Sequence, residues 1–269
     1  MERISRIGQM KIYVGKYFRL FMNERGWKLL VSAAIIAVII AWVAGTEVFI
    51  FYIATRSGAF ALICACIWIG IFNSIQSVCR ERAIIKREYR TGLHISSYIS
   101  AHMIYQMVLC FVQAIIVTVI VTIFRDVPLQ GVFLPGIVEM FITFFLVIYA
   151  SATLGLAVSC IVKNETAAMT VMPFVLIIQL VMAGVVFPLE GAAETISHLT
   201  VSKWGVAAIC TTANVVDMPI LSLAGVPDSA LYEFAVSNLT GMWSRLLIYA
   251  LLYGVIGTIS LKFIDRDKR

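Results

Sequence analysis

A chain of 269 residues in which 61% of side chains are hydrophobic and only 13% are charged lies outside the range of water-soluble domains, where about a quarter of residues carry charge. With a mean hydropathy of +0.95 it reads as an integral membrane protein. The formal net charge of +6 follows the lopsided placement of Lys and Arg described below, so it is no sign of nucleic-acid binding.

Ile7 to Met22 comes first. Met10, Val14, Tyr17 and Phe21 fall on one helical stripe, with Lys11, Lys16 and Arg19 placed to reach lipid head groups, the pattern of a helix lying in the interface. Asn23 to Gly26 then turns the chain into the first of six segments that approach the ~20 residues needed to cross a hydrocarbon core. These are Trp27–Ala44, Gly58–Val78, Tyr98–Phe124, Gly136–Val162, Thr166–Phe187 and Met242–Ile264. No small-residue cleavage site follows the first, which is therefore not read as a cleavable signal.

The second segment is apolar until Asn73, Ser74, Gln76 and Ser77, polar groups that in lipid need another helix or a cavity opposite them. Cys79 to Tyr98 is the densest block of charge between the termini: Arg80, Arg82, Lys86, Arg87 and Arg90 interleave with Glu81 and Glu88, and Gly92 closes the run. Glu81 and Glu88 share a helical face, while Arg82 and Lys86 at i, i+4 put like charges together. The block is either a helix presented to a partner or a cytoplasmic loop that is basic as such loops usually are. On the third segment, Tyr98, His102, Gln106 and Gln113 form one narrow polar stripe. It faces either a transport path or hydrogen-bonding partners on other helices, since lipid would not sustain it.

Ser151, Gly155 and Ser159 give the fourth segment a small-residue face for close packing. Glu139, near its outer end, needs a partner if it is deep. From Phe187 to Gly241 the chain is too polar, and too broken by Pro188, Pro219 and Pro227, to be one span. It reads as an outer cap of short helices, one of them starting after Pro227 and Asp228. Cys64 and Cys66 stand on different helix faces, and no metal site is expected. Basic residues crowd the N-terminal segment, the 79–98 block and the C-terminus (Lys262, Arg266, Lys268, Arg269), whereas the opposite side carries only Arg56, Arg125 and Lys203, with Arg245 at its edge. The positive-inside rule places both termini in the cytoplasm, in a multi-pass protein expected in a bacterial plasma membrane.

The run E-R-A-x-x-x-R-E-x-x-x-G from Glu81 to Gly92 closes one hydrophobic segment and leads through S-x-Y into the next. It resembles the first intracellular loop of type-2 ABC exporter permeases, most closely the G subfamily of white-protein and drug-resistance half-transporters. A-G-V-V-F-P-L from Ala183 and I-S-H-L-T-V-S-K-W-G from Ile196 are similar to that family's fifth span and re-entrant helix. The resemblance implies an all-α integral membrane fold of six transmembrane helices preceded by an amphipathic interfacial helix. Residues 1–26 would be the connecting helix, 79–97 the coupling loop and 188–241 the extracellular cap with its re-entrant element. It implies that Glu81, Arg82, Arg87, Glu88 and Gly92 couple to an ATPase, the two glutamates pairing with the ATPase or with cations of the connecting helix such as Arg19 or Arg25. It also implies that Cys66, Ile69 and Asn73 of the second span and Ile177, Gln179 and Leu180 of the fifth line a central cavity. Val185 and Val186 occupy the place of the family's hydrophobic plug.

The function so implied is the permease subunit of an ATP-driven exporter, a transport subunit with no catalytic residue of its own. Family half-transporters often carry their ATPase on the same chain, but these residues contain no G-x-x-x-x-G-K-[ST]. ATP and Mg2+ are therefore expected on two copies of a partner ATPase subunit. A second permease copy or a homologous permease would complete the pathway, within membrane lipid and with no nucleic acid involved. The expected cargo is amphipathic or hydrophobic (lipid, peptide or drug-like), with a lipid-linked glycan as the alternative. A membrane-embedded enzyme is the rival from another class, against which stands the lack of H-E-x-x-H, G-x-S-x-G or paired membrane aspartates. A channel or sensor needing no ATPase is a further one.

Overall fold

The computed structural model describes residues 5–219 and 230–263, and every regular element among them is a helix. In chain order these are α1 (Arg6–Asn23), α2 (Trp27–Val43), α3 (Tyr52–Ser74), α4 (Ser77–Arg90), α5 (Ile95–Phe124), α6 (Gly136–Ile161), α7 (Glu165–Val181), α8 (Ala192–Ser197), α9 (Val201–Thr212) and α10 (Val236–Lys262). A short 3-10 turn, Val215–Asp217, follows α9. No short helix follows Asp228 among the described residues, since 230–235 form a turn and irregular chain and helix resumes only with α10; the basic residues Arg266, Lys268 and Arg269 lie outside the described residues.

Four helical stretches are long and apolar enough to cross a membrane: α5, α6, α10, and α3 running on into α4 as one stretch, Tyr52–Arg90. The amphipathic helix α1 and the apolar α2 meet at 70°, and counted as one broken span they bring the total among the described residues to five. The bend is built from Arg25 in the left-handed region (φ 57) and from Gly26, where a Cβ would fall onto the Phe21 ring. The fifth expected segment, read as continuous to Phe187, is helical only to Val181. Gly184 adopts φ 72, a conformation that ends helices, and Pro188 lies just beyond. By length and composition the described residues thus hold four or five candidate spans, with the 17-residue helices α2 and α7 at the places of the expected first and fifth.

The centre of the molecule is the pair α3 and α6, joined along a seam of small residues. A Cβ at Gly70 would strike the Ile148 carbonyl oxygen, and one at Gly155 would lie 2.6 Å from Ser74 Oγ. Ser74 Oγ instead donates to the Ala152 carbonyl at 2.5 Å. Without a hydrophobic drive between helices in lipid, such backbone approach and hydrogen bonding hold the pair together. α9 sits against α3, α6 and α10, and all of its residues except Lys203 are buried. α10 is tied to α6 by Trp243 Nε1 donating to Thr143 Oγ1 at 2.9 Å.

Glu139 is fully buried in the first turn of α6. Its carboxylate accepts from the backbone amides of Val132, Phe133 and Leu134 at 3.0, 2.9 and 3.0 Å. The partner the sequence required is thus the preceding turn, whose three amides stabilise the charge in place of water. Cys64, Cys66, Cys79, Cys110, Cys160 and Cys210 are all free thiols.

Candidate functional site

The charged block folds as α4, and its two glutamates face inward along one side, toward α1 and α5. Glu81 accepts from Lys16 Nζ at 3.0 Å and from the Tyr98 hydroxyl at 3.3 Å. Glu88, seven residues on, accepts from the Tyr13 hydroxyl. Burial and the adjacent Glu88 carboxylate hold that phenol protonated, well above its ordinary range. Past the end of α4, Gln9 Nε2 donates to the Gly92 carbonyl at 3.2 Å and Gln9 Oε1 accepts from the His94 amide at 3.0 Å. Gly92 itself has φ 108, which lets the chain turn into α5. α1 and α4 therefore form one platform. The cation that meets Glu81 is Lys16, not Arg19 or Arg25: Arg19 lies on the exposed side of α1 and Arg25 belongs to the bend.

The other side of α4 is tied to α6, end to end. Ser159 Oγ accepts from the amides of Val78 and Cys79 at 3.0 and 3.1 Å, satisfying two N-terminal donors of α4 that have no partner within the helix. In return Arg82 donates from one guanidinium nitrogen to the carbonyls of Cys160 and Val162 at 2.9 and 3.0 Å, placing a cation at the negative C-terminal end of α6. What remains outward is a stripe at three- and four-residue spacing: Arg80, Ile84 (42% exposed), Arg87 and Arg90. Of the residues read as coupling to an ATPase, Glu81, Arg82 and Glu88 hold the platform together, whereas Arg87 and Gly92 are exposed.

The polar stripe of α5 is buried throughout: Tyr98, His102, Gln106 and Gln113 are each at most 3% exposed. Tyr98 hydroxyl and His102 Nε2 lie 3.0 Å apart, continuing the chain from Glu81. Gln106 Nε2 donates to the Asn73 carbonyl at 3.2 Å. Asn73 and Gln113 exchange amide hydrogen bonds in both directions, 2.6 and 3.1 Å, and Gln113 also donates to the Leu29 carbonyl at 3.2 Å. The stripe thus fastens α5 to α2, α3 and α4.

The residues read as a substrate path are not brought together on one surface. Cys66 and Ile69 are buried in the core of the chain itself, and half-buried Asn73 is turned to α5. Gln179 is buried and accepts from the amides of Val201 and Ser202 at 3.0 and 3.2 Å, capping the start of α9. Ile177 is 54% exposed and half-buried Leu180 sits beside it on α7. Leu180 and the exposed Val186 share a shallow apolar cleft of ≈ 380 Å³ with Ile40, Phe60 and Cys64, while Val185 packs against the core. The outward face of α3 instead carries Trp68 and Phe72, stacked at 5.7 Å and more than 40% exposed. Their i, i+4 aromatic spacing was a signal available in the sequence. The ties made by Arg82 and Ser159 carry no signal in the sequence, where Ser159 reads only as a packing residue.

Residues 9–214 match the family model described as ABC-2 type transporter, from α1 to just past the end of α9. A curated relative, an ABC transporter ATP-binding/permease protein of Mycobacterium tuberculosis, is 33% identical over 157 residues, covering 56% of this chain and 18% of the relative. The chain thus spans less than a fifth of that relative's length.

Proposed function

The chain belongs to the ABC-2 type transporter family, and from that premise we propose that it is the permease subunit of an ATP-driven exporter of amphipathic or hydrophobic substrates. Two copies, or this chain and a homologous permease, pair with two ATPase subunits that bind ATP and Mg2+. Closure of the ATPase dimer moves α4, and rigid-body rocking of the helices alternates access across the membrane. The relative from Mycobacterium tuberculosis, whose name joins ATP-binding and permease functions, supports the pairing. The cargo assignment rests on the apolar outer faces of α3 and α7, where Trp68, Phe72, Phe174 and Ile177 are exposed, and on the scarcity of charge within the spans.

The observation that carries this reading is the placement of α4. It extends the α3 stretch, is bonded to α1 on one side and to the end of α6 on the other, and leaves an Arg–Ile–Arg stripe outward. A helix so fixed passes a push on its exposed face to three other helices. The experiment is purification of the tagged chain from its native membrane. A stoichiometric ATPase is expected to accompany it, and the isolated chain should hydrolyse no ATP. Hydrolysis by the isolated chain, or recovery without any ATPase, would overturn the reading.

A further inference from the structure

Beneath the bend between α1 and α2 lies a cleft of ≈ 530 Å³. Its rim carries Arg25, Lys28 and Arg80, for none of which the described residues supply an acidic partner. Two carboxylates also face it, Glu24 and Glu81, but the charge of Glu81 is met by Lys16. Three cations therefore stand against one unpaired carboxylate.

Between the rim and the membrane span the wall is apolar, formed by Leu29 and Tyr105. His102 and Gln106 line the inner end. They are 3% and 1% exposed, and each keeps a buried polar atom, Nδ1 and Oε1, without a hydrogen-bond partner among the described residues. Buried polar atoms are rarely left so without a ligand or water. Arg25 holds φ 57, the left-handed conformation that ends α1 and makes the bend, and it thereby lines the cleft with Lys28.

We propose that this cleft binds an anionic glycerophospholipid of the cytoplasmic leaflet. The phosphate lies among Arg25, Lys28 and Arg80, the hydroxyls of the head group point toward His102 and Gln106, and an acyl chain runs along Leu29 and Tyr105. A lipid fits better than a free phosphate because the cationic rim and apolar wall are contiguous and the 70° bend lays α1 along the interface beside α2. Basic residues at such a surface attract anionic lipid, about fivefold in affinity per side chain. Because Arg80 and Glu81 belong to α4, the occupant ties the bend to the platform. This inference concerns binding by the chain alone and stands apart from the exporter reading.

The test is competition between dioleoyl phosphatidylglycerol and dioleoyl phosphatidylcholine for the purified chain, read by native mass spectrometry. The wild type should retain phosphatidylglycerol at least about tenfold over phosphatidylcholine. Arg25→Gln/Lys28→Gln/Arg80→Gln should bring the ratio near one, while Arg6→Gln/Lys11→Gln/Arg19→Gln, which removes the same charge from exposed positions outside the cleft, should leave it high. Arg25→Gly suits the backbone conformation and guards against misfolding; it should lower the ratio about fivefold. Equal retention of both lipids by the wild type, or equal loss in the two triple variants, would overturn the proposal. So would full displacement of the lipid by millimolar glycerol 3-phosphate, which would mark a phosphate site instead.

Discussion

Exchanging the charges of Lys16 and Glu81 tests the platform directly. The two side chains meet at 3.0 Å, with 36% and 17% of their surfaces exposed. Replacing Glu81 by lysine would set two ammonium groups about 4 Å apart, a repulsion of about 4 kcal/mol at an effective dielectric near 20. Rotation of the more exposed Lys16 and screening by salt reduce this to about 1–2 kcal/mol. Lys16→Glu should cost somewhat more, because Lys16 Nζ also lies 5.7 Å from the ring centroids of Tyr13 and Tyr17 and gives up both cation–π contacts. In Lys16→Glu/Glu81→Lys the attraction returns, and Tyr98, able to accept as well as donate, still serves the residue at 81. The double variant should regain the ion-pair part of the loss but not the two cation–π contacts, settling about 1–2 kcal/mol below the parent and well above the sum of the singles. The assay is thermal unfolding of the detergent-solubilised chain, where each single reversal lowers Tm by roughly 2–6 °C, more so at low salt. In a reconstituted complex, substrate-stimulated ATPase should fall in the singles and return in the swap. A double variant no better than the sum of its singles would refute the pairing.

Three other outcomes follow from the same geometry. Arg82→Gln withdraws charged donors from the Cys160 and Val162 carbonyls, so hydrogen exchange at the end of α6 and the start of α7 should rise, with about 1.5–3 kcal/mol lost; unchanged exchange there would dissociate α4 from α6. Gly70→Val drives side-chain atoms into the Ile148 backbone and should cost several-fold in folded yield, more than the same change at Gly15, where a Cβ would meet nothing within 4 Å. Asn73→Leu leaves Gln113 without its reciprocal partner and should destabilise by about 1–3 kcal/mol, while Asn73→Leu/Gln113→Leu should be the milder change; additive losses in thermal unfolding would show that the two amides do not act as a pair.

Much of this fold is written in hydrophobic run length. The apolar stretches that became α5, α6 and α10 carry no competing signal, so their existence and approximate ends follow from composition. The four-residue spacing of Ser151, Gly155 and Ser159 correctly pointed to close packing. Where reading by pattern failed, the deciding force was a tertiary contact. Gln179 looks like a polar residue facing a cavity until α9 arrives with two uncapped amides. Asn73 looks available for cargo until Gln113, forty residues later, is seen to match it. Likewise Lys16, Arg19 and Arg25 are equivalent cations in one dimension, and only the packing of Tyr13 and Tyr17 against α5 decides which of them reaches Glu81. The break of α7 was local and legible in principle, since Gly184 followed by Pro188 marks a helix end.

The helix α9 bears on how the protein is made. Its 12 residues span about 18 Å, short of the ~30 Å of a hydrocarbon core, so the insertion machinery has no full span to recognise there. Its walls are contributed by α3 and α6, synthesised before it, and by α10, synthesised after it. Trp204 Nε1 reaches the Tyr249 hydroxyl of α10 at 3.3 Å. The segment must therefore emerge from the ribosome unplaced and wait until α10 closes the pocket around it. Cys210, fully buried in the finished chain, is a natural reporter of that step. In a released chain truncated after Ala235 it should react with a membrane-permeant maleimide, and in the complete chain it should not. Protection already present in the shorter chain would mean that α3 and α6 suffice to seat it.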